Sequence, residues 1–280
     1  MPNHVKNIIK LTGAQNEIDY IVNLITKTEE VDGEMQKVVD FNSLIPMPET
    51  LRVVSGSVSD ECLRLYISDV FCNDNIYGTK LKKHLEVLQR YNNSKLFCKI
   101  NITNEYLYTL AEISNKCSEL LEQYHADRNK KPFDEGPWFR TTADVISYGE
   151  QIYNNIEKYN AKDWFDWCTY DDLNDPNNDN IGWGTKGNAY DNNCEIFNGC
   201  ALLRFNTAWN IPFKFYKKLY EIIHRDCKSL NCNIRYANED YYSGIGEITD
   251  IIGDKIIMLD YLEEYEDYEL EEIYDEIWEE

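Results

Sequence analysis

The stretch that decides the fold is "CEIFNGCALLRF", residues 194–205. Two apolar runs flank Asn198 and Gly199, the residue pair that favours a two-residue β-hairpin. Asn-Gly suits a type I′ turn because both central positions of that turn have positive φ. The sequence therefore predicts two adjacent antiparallel strands joined by a type I′ turn.

The segments on either side of this hairpin alternate between strand and helix patterns. Residues 4–12 place Val5, Ile9 and Leu11 on one face, which predicts a strand. The further elements predicted are a helix with Ile18, Ile21, Val22 and Ile25 on one side, a strand over 35–41, a helix from Pro212 with Phe215, Leu219, Ile222 and Ile223, and strands over 232–237 and 241–249. This order predicts an α+β fold with a ferredoxin-like split β-α-β antiparallel sheet.

The middle of the chain has helical spacing and no visible repeat. The apolar stripes predicted there are Leu81, Leu85 and Leu88, then Leu107, Leu110, Cys117 and Leu121, with a third helix over 143–168. We therefore expect an inserted helical lobe. The predicted division is 1–57 for the first part of the core, 58–160 for the lobe, 161–256 for the second part of the core and 257–280 for an acidic tail.

Charge is the most unusual property of the composition. The chain has 50 acidic residues against 28 Lys and Arg, a net charge of −22, and residues 260–280 carry no base. Such a field repels nucleic acid and anionic membranes, so direct nucleic-acid binding is not expected. It favours a protein partner with a basic surface, although the same charge also serves solubility.

Cysteine usage and the absence of long apolar runs indicate the compartment. Nine cysteines at irregular spacing, with no Cys-x-x-Cys pair, suit reduced thiols. The first residues lack the apolar segment of a signal peptide, and no run reaches transmembrane length. We expect a soluble protein of the cytoplasm, and the oligomeric state stays open.

Sequence motifs for cofactors are weak. "GWGTKG", residues 182–187, fits G-x-G-x-x-G, but a polar loop precedes it and a predicted strand follows, whereas a dinucleotide loop opens a helix. Residues 175–179 have the alternating acids and amides of a calcium-binding loop, but the Gly and Glu that such a loop carries later are absent. The segment "HRDCKSLNC", residues 224–232, lacks a second pair of zinc ligands. We expect no cofactor and no metal, and no catalytic residue can be nominated, so an enzyme is unsupported.

Several segments in the same order resemble a known family. They are "MPNHVKNIIKLTG", "VVDFNSLIPMPETL", "WFDWC" followed by "WGTKGNAYD", "LLRFNTAWNIPF" and "YYSGIGEI". Together they are similar to the YubB-like proteins, also described as Api-like, over 1–52 and 160–252. The resemblance implies a ferredoxin-like domain and carriage by a phage, plasmid or integrated element, and it implies no activity. This chain departs from the family by extra residues around "DDLNDPNNDN" and by Gly187, where a bulky residue is usual.

The family motif supplies one candidate binding site. Its members are Trp183, Thr185, Lys186, Asn188, Tyr190, Thr207 and Trp209. Under one interpretation the tryptophans pack internally and the Lys186 stem covers them. Under the other, the motif binds an anion through Lys186.

The acidic tail supplies a second candidate site. Leu270, Ile273 and Ile277 form a helical stripe that can dock on the core. Alternatively the tail presents an acidic, aromatic surface to a basic cleft of a partner. The predicted partner-binding residues are Tyr265, Tyr268, Glu271, Glu272, Tyr274, Asp275 and Trp278.

These observations favour a non-enzymatic interaction protein of a mobile genetic element. We expect it to bind and inhibit a host protein of defence or nucleic-acid processing in the bacterial host cytoplasm. The alternative is a nucleotide- or nucleic-acid-binding module that uses the Trp183 and Lys186 region together with the sheet. An enzyme with a site that leaves no sequence motif is the third possibility.

Overall fold

The structure is a computed structural model that describes residues 3–31, 33–53, 56–73, 110–130, 139–169, 182–240, 244–253, 255–260 and 267–279. The chain forms two compact units, Met1–Pro46 with Gly182–Glu280, and Met47–Ile181. The four-part division predicted from the sequence is not decided by this partition and stays a prediction. No described helix combines the length and the apolar character that crossing a membrane requires.

The first unit is built on a six-stranded sheet in which every neighbouring pair is antiparallel. Its strands are β1 (His4–Thr12), β4 (Tyr190–Phe197), β5 (Cys200–Ala208), β6 (Asn231–Asn238), β7 (Ile245–Ile252) and β8 (Lys255–Asp260). Their order across the sheet is β4-β5-β1-β6-β7-β8, so the first strand of the chain lies inside the sheet. A separate two-stranded hairpin joins β2 (Thr26–Val31) to β3 (Glu34–Val39). The mixed α+β class is confirmed.

The predicted hairpin is present, but its turn is of another type. Strands β4 and β5 pair through Phe197 and Cys200 around Asn198 and Gly199. Gly199 has a φ of 78°, whereas Asn198 is not among the described residues with positive φ, so the type I′ prediction is wrong. A positive φ at a non-glycine residue costs energy. A side chain from outside the hairpin stabilises this turn, since Gln15 Oε1 accepts a hydrogen bond of 2.9 Å from the Gly199 N–H.

Two helices follow the predicted apolar spacing. They are α1 (Gln15–Ile25), which buries Ile18, Ile21, Val22 and Ile25, and α6 (Phe213–Asp226), which buries Phe215, Leu219, Ile222 and Ile223. Helix α1 contacts β5 and α6 contacts β7. The β1 residues Val5, Ile9 and Leu11 are fully buried, as the alternation predicted.

The last helix of the chain packs on the same sheet. This helix, α7 (Asp267–Glu279), contacts β1 and β6. Leu270 and Ile277 are buried in a cluster with Ile8, Ala237 and Ile245. Ile8 lies one residue from the buried Ile9 on β1, and successive strand residues point to opposite faces. Helix α7 therefore covers the face of the sheet opposite to the one that carries Val5, Ile9 and Leu11.

The second unit is helical. Its helices are α2 (Ser57–Asn73), α3 (Leu110–Lys130), α4 (Thr142–Tyr159) and α5 (Trp164–Thr169). The single helix predicted over 143–168 is wrong, because the chain leaves α4 at Asn160 with a φ of 51° and restarts at Trp164. The predicted stripe of Leu81, Leu85 and Leu88 lies outside the described residues, as does Leu107.

A buried ion pair lies in this unit at the start of α5. The Lys162 side chain is fully buried, and its Nζ lies 2.8 Å from Asp60 Oδ1 on α2. Asp163 Oδ2 lies 3.9 Å from the same Nζ. Removing one member of such a pair leaves a buried charge without compensation, so we assign these residues a structural role.

Candidate functional site

Trp183 is an internal anchor of the family motif. Its side chain is buried, with 3% exposed, and its Nε1–H donates to the Ile45 carbonyl at 2.9 Å. Its ring meets Phe41 edge to face at 5.6 Å between centroids. Because both the ring and the N–H are engaged inside the protein, Trp183 cannot stack on a ligand.

Asn188 joins the motif to the end of β3. Its Oδ1 accepts from the Phe41 N–H at 2.9 Å, and its Nδ2 donates to Asp40 Oδ1 at 2.6 Å. Asp40 also accepts from the Asn42 N–H at 3.1 Å and lies 3.7 Å from Lys27 Nζ. Burial by itself raises the pKa of Asp40, but these hydrogen bonds and the Lys27 charge outweigh it and lower that pKa below its usual value. Asp40 thus remains a charged acceptor at neutral pH.

The segment between Trp183 and Asn188 is hydrogen-bonded to the end of β5. Thr185 is buried, and its hydroxyl donates to the Gly187 carbonyl at 2.7 Å. The Lys186 N–H donates to the Ala208 carbonyl at 3.2 Å. Gly184 and Gly187 have φ of 81° and 96°, a region that glycine adopts at little cost. Gly184 and Gly187 of "GWGTKG" therefore allow the backbone to bend, and β4 rather than a helix follows them.

Lys186 is the exposed member of the motif. Its Nζ lies 5.3 Å from the centroid of the Trp209 ring, a cation–π distance. Trp209 itself has a φ of 79°, and its N–H donates to the Asn3 carbonyl at 2.7 Å. The pair places one positive charge at the surface, which is less than a phosphate site normally provides.

Tyr190 and Thr207 belong to a polar network that joins β4, β5, β1 and α6. The Tyr190 hydroxyl hydrogen-bonds to His4 Nδ1 and donates to the Thr207 carbonyl at 3.1 Å. The Thr207 hydroxyl accepts from Asn7 Nδ2 at 3.0 Å, and Asn7 Oδ1 accepts from the Tyr216 hydroxyl at 2.6 Å. Burial raises the pKa of Tyr190 and, more strongly, that of Tyr216. Both phenols therefore stay protonated at neutral pH and act as hydrogen-bonding groups.

The seven motif residues thus lie at the junction of β3, β4 and β5. Most are engaged inside the protein, which fits the packing interpretation better than the anion-binding one. Three further residues that no sequence motif indicated hold the same junction. Asp40 binds Asn188, and Asn7 and Tyr216 continue the hydrogen-bond network of Thr207. A buried Asn at a position facing the core was the available signal, since a polar side chain there requires partners.

The described residues offer few side chains that could together bind a metal ion. No group of three potential metal ligands occurs within the described ranges. His224 Nε2 lies 2.8 Å from Asp250 Oδ1, and Cys232 is buried. Burial raises the pKa of Cys232 to about 12, so its thiol is not a ready thiolate ligand. The candidate cation loop at 175–179 lies outside the described residues.

The tail residues separate into a docked side and an outer side. Ile273, Tyr274 and Trp278 pack against the cluster beneath α7, and the Tyr274 hydroxyl donates to the Glu239 carbonyl at 2.7 Å. The exposed residues of the predicted set are Glu271, Glu272 and Asp275. Tyr265 lies outside the described residues, and of Tyr268 the structure describes the helical backbone. Residues 267–279 of the tail therefore form a docked helix whose outer side is acidic.

Comparisons with known proteins add no identity to this geometry. No protein-family model, curated protein or solved structure matches the chain.

Proposed function

We propose that this chain is a non-enzymatic interaction protein that binds a basic surface of another protein through the outer side of α7. One observation carries the proposal. Helix α7 is docked by its apolar side, so Glu271, Glu272 and Asp275 are held exposed on a packed helix. Prearranged charges lose less conformational entropy on binding than charges on a mobile tail.

The charge of the whole chain supports the same conclusion. A net charge of −22 attracts a basic partner over several ångströms and raises the rate of encounter. The aromatic residues of α7 have a different role from the partner contact that the sequence predicted. Tyr274 and Trp278 support α7 from beneath, so the acids rather than the rings would contact the partner.

The fold supports a ferredoxin-like description of the core. When β2, β3 and the helical unit between α1 and β4 are left out, the segments β1, α1, β4, β5, α6 and β6 have the order β-α-β-β-α-β. Their strands lie in the order β4-β5-β1-β6. This is the strand arrangement that interleaves two split β-α-β units. The resemblance to YubB-like proteins, together with this order, supports our proposal of a mobile-element protein that inhibits a host protein of defence or nucleic-acid processing in the bacterial cytoplasm.

The test measures affinity for a purified partner. Affinity purification from a bacterial lysate recovers candidates, and the recovered partner is then titrated with the full chain. The variant Glu271→Gln, Glu272→Gln, Asp275→Asn should bind roughly tenfold more weakly, because three peripheral charge contacts contribute about 0.5 kcal/mol each. The affinity of the unmodified chain should also fall as salt rises.

A matched variant controls for net charge. Glu30→Gln, Glu34→Gln, Glu122→Gln removes three exposed charges elsewhere on the chain. It should bind the partner nearly as well as the unmodified chain does. Equal losses in the two triple variants would show that only net charge matters, and no loss in the α7 variant would refute the assignment of the interface.

A further inference from the structure

The sheet face beneath α7 carries an unusual concentration of basic residues. Ile8 pairs with Arg204 on β5 and with Arg235 on β6, and Ile8 packs in the cluster under α7. Lys6 and Lys10 lie two residues from Ile8 on β1, so all four bases share its face. By the same register, β1, β5 and β6 place no Asp or Glu on that face. In a chain of net charge −22, these three strands carry only basic charges on that face, while Glu195 of β4 lies 3.4 Å from Arg204 and Glu247 of β7 pairs with Arg235 in register.

A cleft of about 540 Å³ lies between this face and α7. Its volume is in the range that holds small ligands. Two bases, Lys10 and Arg235, lie on its wall beside the amides of Asn231 and Asn233, and Ile8 and Leu202 supply apolar surface. A few polar groups around an apolar floor are the usual composition of a small-molecule site.

The acidic groups of the cleft are engaged with protein partners. Glu276 of α7 places Oε2 3.0 Å from Arg235 Nη2, and Glu247 Oε1 accepts a hydrogen bond from Asn233 Nδ2. Lys10 has no ion-pair partner among the described residues. The Glu276 carboxylate thus occupies the position at the Arg235 guanidinium that an oxygen of a phosphate would take.

We propose that this cleft binds a phosphorylated small molecule and that Glu276 competes with its phosphate for Arg235. The phosphate is held by Lys10 and Arg235, the two cations that line the cleft. The remainder of the ligand lies on Ile8 and Leu202, with the Asn231 amide available to a polar edge. This site is distinct from the acidic outer side of α7 and does not depend on it.

The experiment is a calorimetric titration of the full chain with three probes, which are ADP, inorganic pyrophosphate and adenosine. ADP should bind most tightly, because it supplies both the phosphates and an apolar ring system, and adenosine should bind most weakly. Lys10→Gln and Arg235→Gln should each weaken ADP binding about tenfold, since each removes a charge-assisted hydrogen bond. Glu276→Gln should strengthen ADP binding severalfold, because it releases Arg235.

Matched controls separate this site from a general charge effect. Lys228→Gln removes an exposed base elsewhere, and Glu271→Gln removes an exposed acid of α7 that does not line the cleft. Both should leave the ADP affinity nearly unchanged. If Arg235→Gln unfolds the chain, Lys10→Gln decides alone, because Lys10 is exposed and we expect its replacement to preserve the fold. Absence of ADP binding, equal affinity for adenosine, no effect of Lys10→Gln, or equal effects of the two α7 variants would each overturn the proposal.

Discussion

At the residue scale, Asp40 shows what a sequence motif leaves out. The motif W-G-T-K-x-N-A-Y-D was visible in the sequence, and its residues do lie together. Asp40, which accepts a hydrogen bond from Asn188 of this motif, lies 148 positions before Asn188 in the chain. Nothing in the local pattern of residues 35–41 distinguishes this carboxylate from the other acids. A contact between such distant positions exists only once the sheet has formed.

We predict that Asp40 makes stability depend on pH. Its pKa is lower in the folded protein than the usual value of about 3.9, so its charged form stabilises the fold at neutral pH. This contribution is complete above the unfolded pKa and is lost as pH falls through the folded pKa. The unfolding free energy of the unmodified chain should therefore exceed that of Asp40→Asn at pH 7, and the difference should vanish in strong acid.

Urea unfolding at a series of pH values measures this difference. Glu30→Gln serves as the control, since it removes an exposed acid whose carboxylate forms no hydrogen bond with the described residues. A difference between the unmodified chain and Asp40→Asn that stays constant from neutral pH to strong acid would show that the Asp40 charge does not stabilise the fold.

At the element scale, the periodicity of apolar residues predicted the helices that pack against the protein by one face. It did not predict β2, a strand that has no buried face. Helices α1 and α6 bury the residues that their spacing indicated. Strand β2 reads "TKTEEV" and is exposed along most of its length, because it pairs with β3 outside the main sheet. Its sequence therefore has no apolar alternation to detect.

Close approach of two helices gives the prediction at this scale. Gly149 lies in α4, where an added Cβ would be 2.1 Å from the Cys62 carbonyl oxygen and 2.7 Å from Tyr66 Cβ on α2. Backbone atoms cannot move aside cheaply, so Gly149→Ala should force α2 and α4 apart. We expect a loss of about 1–3 kcal/mol, although alanine is the better helix former.

Thermal unfolding followed by circular dichroism measures this loss. Ser147→Ala is the matched control because it adds helix propensity at an exposed position of the same helix. It should leave the Tm unchanged or raise it slightly. A Gly149→Ala variant as stable as Ser147→Ala would show that the two helices do not pack as closely as described.

At the scale of the whole molecule, the sequence indicated the α+β class and an expected ferredoxin-like order for the core strands, but not the addition of β7 and β8 at one edge of the sheet. The six strands of the sheet come from both ends of the chain, and the helical unit is inserted between them. Which strands pair depends on burial on both faces of the sheet at once, including the face that α7 covers. A pattern confined to one segment contains no information on that pairing.

Net charge, in contrast, is fully known from the sequence and gives the last prediction. A chain with 50 acids and 28 bases repels itself more in the compact state than in the unfolded state. Raising NaCl from about 10 mM to about 150 mM shortens the screening length from about 30 Å to about 8 Å. The unfolding free energy from urea titration should therefore rise with salt. Surface ion pairs such as Lys218–Glu221 act in the opposite direction, but each contributes at most about 1 kcal/mol and the acids outnumber the bases.

The variant Glu271→Gln, Glu272→Gln, Asp275→Asn should gain less from salt than the unmodified chain, because three of the repelling charges are gone. Stability that falls with salt in the unmodified chain would mean that ion pairs outweigh the repulsion.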